Sequence, residues 1–155
     1  MNGVKRITVH HEGALWNATD QPTVARHLES IRQDHLRRRS KRTGEYWADI
    51  GYHFVIDPAG RIWEARSVNW QGAHVDDQNE HNLGIMLMGN FDLQQVSSAG
   101  LASLQRMVRA QMVRYRVPVS LVFTHQELDA TRCPGTNLQR QMVVMRGSGG
   151  ALRVG

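Results

Sequence analysis

Three side chains of this chain could together hold a transition metal. They are His10, at the end of the first apolar run in ITVHHEG, and His125 and Cys133, both within THQELDATRCPG. Two imidazoles and one thiolate are a sufficient donor set for a catalytic zinc that keeps a fourth position open, whereas structural zinc sites are closed by four protein ligands. Such an ion would retain positive charge, bring the pKa of its water to about 7 and polarise a carbonyl as a Lewis acid. The donors come from opposite ends of the chain instead of from short local pairs. That excludes a zinc finger and demands a fold that joins the two ends. The bland alternative is a structural metal or a reduced, buried cysteine.

The elements between these residues supply such a fold. Residues 4–10 read as a strand delivering His10 at its carboxyl end. From Pro22 to about Arg39, the residues Val24, Leu28, Ile31 and His35 recur at helical spacing, with Asp20 as a cap. Tyr52, Phe54 and Ile56 alternate with His53, Val55 and Asp57, and the DPAG turn leads into RIWEA, so 52–65 reads as a hairpin. LGIMLM at 83–88 is short and continuously apolar, as a central strand is. Residues 98–115 bring Leu101, Leu104, Val108, Met112 and Tyr115 onto one helical face. Pro118 introduces the strand VSLVFT, which ends at His125, and 137–146 reads as a last helix before GSGGALRVG. The pattern predicts an α/β domain over 1–146, with a central mixed sheet flanked by helices, and a flexible Gly-rich tail over 147–155. His10 and His125 fall at the carboxyl ends of strands, where open α/β sheets place their sites. Cys133 follows in a loop that the Cys-Pro-Gly turn would restrict.

Composition bounds the rest. A chain of 155 residues, 41% of them hydrophobic, can bury a core without disulfide staples, and its single cysteine cannot form one internally. No apolar stretch approaches the roughly 18 residues of a membrane span. The N-terminal MNGVKRITVHHEG lacks a long apolar segment. The expectation is a monomer, not inserted in a membrane, held in the cytoplasm until released or else delivered by a leader or domain outside these residues. The formal net charge is +5, much of it in Arg37, Arg38, Arg39, Lys41 and Arg42. Such a patch attracts polyanions, among them nucleic acid and the acidic polymers of a bacterial envelope, unless it is only a solvated helix end. No nucleic-acid motif accompanies it. Trp47, Trp63 and Trp70 could stack on sugar or peptide, or simply pack.

Four ordered blocks carry a resemblance: ITVHHEG, WADIGYHFVIDPAGRIWEAR, GAHVDDQNEHNLGIMLMGNF and FTHQELDATRCPG. From about Ile7 to Leu138 the chain resembles the type 2 N-acetylmuramoyl-L-alanine amidases, the family of phage amidase lysozymes and animal peptidoglycan recognition proteins. The resemblance implies zinc ligation by His10, His125 and Cys133, with Tyr52 as the catalytic tyrosine beside the metal. Thr131 matches a second catalytic position, where phage lysozymes carry lysine and amidase-active recognition proteins carry threonine. The implied reaction is hydrolysis of the amide between N-acetylmuramic acid and L-alanine of bacterial peptidoglycan. The third ligand favours an enzyme over a non-lytic binding or sensing module, since binding-only members have lost the cysteine. His74 and Asn79 match positions lining the substrate groove, and Arg66 matches an arginine expected to meet a stem-peptide carboxylate; Trp47 joins them as a candidate contact. His11, on the opposite strand face from His10, and His53, alternating with Tyr52, are expected to be structural. His27, His35 and His81 are expected on the surface or along helices.

Overall fold

The first strand, β1 (Arg6–His11), divides its residues between two surroundings. Ile7 and Val9 enter one apolar cluster, and the period-two alternation of a strand turns Thr8 and His10 to the other face. Seven further elements follow in chain order: α1 (Gln21–Leu36), β2 (Phe54–Ile56), β3 (Ile62–Glu64), β4 (Asn82–Leu87), α2 (Ser98–Tyr115), β5 (Val122–Thr124) and α3 (Thr136–Arg146). The computed structural model describes residues 3–153.

The strands form one mixed sheet in the order β3-β2-β4-β1-β5. β1 runs parallel to both β4 and β5, and β2 runs parallel to β4. Only the edge strand β3 is antiparallel, paired with β2 as the DPAG hairpin requires. All six residues of β4 are buried, as a central strand covered on both faces must be. On one face, Leu83, Ile85 and Leu87 pack with Leu104, Met107, Val108 and Met112 of α2 and with Leu138, Met142 and Met145 of α3. On the other, Met86, Met88 and Val55 meet Val24, Leu28 and Ile31 of α1. The α/β architecture read from the sequence is therefore a three-layer sandwich, and His10 faces the α1 layer.

Local chemistry sets the ends of the helices. Asp20 caps α1, its carboxylate accepting the Thr23 N–H at 3.0 Å, and Ser97 caps α2 through the Gly100 N–H. α1 stops at Leu36, short of the expected Arg39. Beyond it the chain turns back, and Arg39 forms a bridge with Tyr46. The expected strand at 119–124 is half a strand: Val119–Leu121 is a 3-10 turn, and only Val122–Thr124 reaches β1. Tyr52 lies in the loop before β2, not within it. Among the described residues no helix is long and apolar enough to cross a membrane.

The Gly-rich tail is not loose throughout. Leu152 is fully buried in the α2–α3 cluster, and its N–H donates to the Met145 carbonyl at 2.9 Å, so burial of one leucine ties down a segment rich in glycine. Residues 154–155 of that tail lie outside the described residues. Leu152→Ala should cost about 2 kcal/mol or more, the low end of the range for buried leucines because the site lies near a chain end. Urea denaturation measures it, and an unchanged midpoint would mean that this contact contributes nothing.

Candidate metal centre

The carboxyl ends of β1 and β5 lie side by side, so His10 and His125 arrive together. His10 is completely buried, and its ring centroid is 4.7 Å from that of His125. Cys133 reaches the same point from the loop after β5. One ligand atom from each of His10, His125 and Cys133 falls in a cluster whose members all lie within 4.8 Å of one another. The Cys133 Sγ stands 3.6 Å from His10 Nδ1. A tetrahedral ion with ordinary Zn–N and Zn–S bonds separates a nitrogen and a sulfur ligand by about 3.5 Å. Nε2 of His125 is buried without a hydrogen-bond partner among the described residues.

The electrostatics fit the same purpose. Burial, reinforced by the neighbouring histidines His74 and His125, holds the His10 imidazole neutral well below its ordinary titration range. Burial also lowers the His125 pKa, against the opposing pull of Asp129. Burial also pushes the Cys133 thiol up to about 12, although the His11 backbone N–H, 3.3 Å from Sγ, favours the thiolate. A desolvated sulfur beside two neutral imidazoles becomes an anion only against a cation, and a divalent metal is the cation this donor set suits.

The loop carrying Cys133 is held from several sides. The Thr131 hydroxyl accepts the Cys133 N–H at 3.2 Å, and the Cys133 carbonyl accepts the Gln126 N–H at 2.7 Å. At Gly135 the backbone has φ +84, and a Cβ would come 2.5 Å from the Phe91 carbonyl carbon. Only glycine allows the loop to close against that segment. His11 points away from the cluster, and its Nδ1 accepts the Phe91 N–H at 3.2 Å.

Tyr52 lies against the ligands, its ring centroid 5.2 Å from that of His10 and 5.7 Å from that of His35. Burial raises its phenol well above the ordinary value, so the hydroxyl keeps its proton throughout the neutral range. Its loop is braced by Arg66. The guanidinium of Arg66 donates to the carbonyls of Ile50, Gln71 and Asp49 at 2.7, 2.6 and 2.8 Å. Arg66 is thus committed to main-chain carbonyls under the loop, not to a substrate carboxylate. The other two groove candidates are also turned inward. The Asn79 side chain accepts the N–H groups of His74 and Val75 at 2.7 and 2.9 Å, which shapes the loop. His74 is buried, with Nδ1 3.0 Å from His10 Nε2 and Nε2 3.1 Å from the Asn82 carbonyl oxygen. Spacing alone places these residues near the site but does not say which way they point. Trp47 is half-buried, edge-on to His35, with the Arg38 guanidinium 5.7 Å from its ring centroid.

Two histidines expected on the surface or along helices lie in α1 and have structural work. His35 is buried, and its Nδ1 accepts the Gly51 N–H at 3.0 Å beside Tyr52. Its place in the helical series with Val24, Leu28 and Ile31 was the signal for that burial. His27 stacks on Trp16 at 3.7 Å and meets the Glu12 carboxylate at 2.6 Å, a pairing no local pattern announces. The basic run is partly neutralised at its surface: Arg38 pairs with Asp34 and Lys41 with Asp76.

This architecture is shared. The family model for N-acetylmuramoyl-L-alanine amidase matches residues 1–136, and the chain belongs to that type 2 amidase family, which also contains the peptidoglycan-recognition proteins. A peptidoglycan-recognition protein of Drosophila melanogaster is 33% identical over 142 residues, which are 90% of this chain and 72% of that protein. An N-acetylmuramoyl-L-alanine amidase of Sus scrofa is 32% identical over 125 residues, 77% of this chain but 19% of the longer protein. The solved N-acetylmuramoyl-L-alanine amidase LysC from Clostridium intestinale aligns with TM-score 0.71 at 27% identity, covering 91% of this chain and 83% of that one.

Cys133→Ser should fold yet lose tight zinc, because a serine hydroxyl does not supply the anionic sulfur. Metal analysis after dialysis against a weak chelator checks this. Equal zinc content in variant and wild type would remove Cys133 from the centre.

Proposed function

We propose that the protein is a zinc-dependent amidase that hydrolyses the amide joining N-acetylmuramic acid to L-alanine in bacterial peptidoglycan, and so acts on the cell wall. One observation carries the reading: Cys133 Sγ stands 3.6 Å from His10 Nδ1 in a cluster with His125 whose donor atoms lie within 4.8 Å of one another, with the Tyr52 ring against it. A binding module needs a groove; it does not need three convergent donors and a desolvated phenol.

Zinc, held by His10, His125 and Cys133, would supply Lewis-acid polarisation of the lactyl carbonyl and a nucleophile near neutral pH. The chain's own residues do the remainder. Tyr52 keeps its proton and donates a hydrogen bond to the carbonyl oxygen as negative charge develops there. Arg66 and His35 hold the Tyr52 loop, so that donor needs little reorganisation during the reaction. The Thr131 oxygen already accepts the Cys133 N–H, which leaves its own hydrogen free to donate toward the reacting amide. The attacking water's oxygen ends on the lactyl carboxyl, and the proton that water gives up goes to the alanine amine as its bond to the carbonyl carbon breaks. Trp47, which like Tyr52 packs on His35, offers its uncovered surface to sugar or peptide. Arg37 and Arg42, at the tip of the basic segment, raise the encounter rate with anionic envelope polymers.

Two measurements test the reading. Mass spectrometry of peptidoglycan incubated with the zinc-loaded protein should show stem peptides with a free alanine amino terminus, absent from a chelated control. Intact muropeptides from folded, zinc-bound protein would replace the amidase with a non-lytic peptidoglycan-binding module. Tyr52→Phe should retain zinc and lose about a hundred- to a thousandfold in kcat, the usual cost of one oxyanion donor. Full turnover in that variant would defeat the role given to the phenol.

A further inference from the structure

His10 has two ring nitrogens, and only one can face a metal as a bare lone pair. The surrounding contacts decide which. A carbonyl oxygen can only accept, so His74 Nε2, 3.1 Å from the Asn82 carbonyl, carries a hydrogen. In a neutral ring the other nitrogen, Nδ1, is then an acceptor. It lies 3.0 Å from His10 Nε2, which must donate to it. The remaining nitrogen, His10 Nδ1, is left bare, and it is the atom 3.6 Å from Cys133 Sγ.

We infer that His74 is a positioning residue that locks His10 in the Nε2–H tautomer and so presents Nδ1 to the metal, through a relay ending on the Asn82 carbonyl. The inference rests on reading the His10, His125 and Cys133 cluster as a metal centre. Metal-bound histidines commonly donate their second N–H to a carboxylate or a carbonyl. Here an imidazole stands between ligand and carbonyl, so the relay orients the ligand without adding a negative charge to the centre.

The surroundings are built to the shape of the His74 ring. A Cβ on Gly84 would lie 2.6 Å from His74 Cδ2, and so would a Cβ on Gly72. The two glycines thus leave free the space that the ring occupies. His53 closes its side, with ring centroids 5.8 Å apart at an interplanar angle of 79°. The orientation of His53 is fixed in turn, because Nδ1 accepts the Gly84 N–H at 2.9 Å and Nε2 faces the Trp70 carbonyl at 3.1 Å. Thr8 donates to the Asn82 side chain at 2.8 Å, which steadies the residue whose carbonyl ends the relay.

The test compares His74→Leu, which removes the acceptor, with His74→Asn, whose Oδ1 takes the place of Nδ1. Competition with a chelating dye should show zinc affinity about 10- to 100-fold weaker for the leucine variant, and much of that loss restored by asparagine. NMR of isotope-labelled histidine nitrogens in the wild type reads the tautomer directly, and stands even if the leucine variant fails to fold. His10 should carry hydrogen on Nε2 without metal and ligate cadmium or zinc through Nδ1. Ligation through Nε2, or unweakened zinc binding by folded His74→Leu, would overturn the relay. A wild type that shows the Nε2–H tautomer yet takes no zinc would overturn the metal reading instead and leave the relay's tautomer standing.

Discussion

A histidine with no solvent exposure at the end of a central strand is the constraint around which this molecule is arranged. Burial and, after it, the neighbouring imidazoles hold the His10 pKa well below the ordinary histidine value. A neutral imidazole still has one donor and one acceptor to satisfy. The fold meets the donor with His74 and directs the acceptor at His125 and Cys133. The parallel pairing of β1 with both β4 and β5 makes this possible, since it brings the two distant ends of the chain to one edge of the sheet.

The two faces of the sheet do different work. The face under α2 and α3 is almost wholly apolar and carries the larger core, which even the Gly-rich end of the chain joins through Leu152. The face under α1 mixes a smaller apolar cluster with Thr8, His10, His53, His74 and Asn82, all buried. Buried polar groups are tolerated there because they bond to one another or to main-chain groups, as the contacts of His53, His74 and Arg66 illustrate. Such a network gives these groups fixed positions. The apolar face supplies the stability that lets it exist.

Family membership sets the field of possible activities without choosing among them, because lytic amidases and peptidoglycan-recognition proteins share this scaffold. The choice lies in a few side chains. Cys133 joins His10 and His125 in one cluster of possible donors, and the Thr131 hydroxyl holds its loop by accepting the Cys133 N–H. Tyr52 stays protonated because it is desolvated. Each is a property of this chain and not of the fold alone.

Much of this was written in the residue order. The helical series from Val24 to His35, the alternation through Phe54 to Ile56 and the continuous apolar run of β4 announce their elements, because burial on one face or both imposes a period that composition alone does not carry. The cluster of His10, His125 and Cys133 was legible too, from two histidines at strand ends and a lone cysteine in the loop that follows. Direction was not. Arg66, Asn79 and His74 stand where a substrate groove was expected, yet all three turn inward to main-chain atoms or to His10. Their partners lie on other segments, and only packing reveals which carbonyl needs a donor. The same holds for Leu152, whose burial depends on a space left between α2 and α3, and for His27, whose stacking on Trp16 joins two segments with no shared pattern. By itself, then, the sequence determined which residues could do the chemistry and which elements carry them. The tertiary structure decided which nitrogen of His10 faces Cys133 and which side chains stand behind it, because hydrogen-bond direction depends on contacts between segments far apart in the chain.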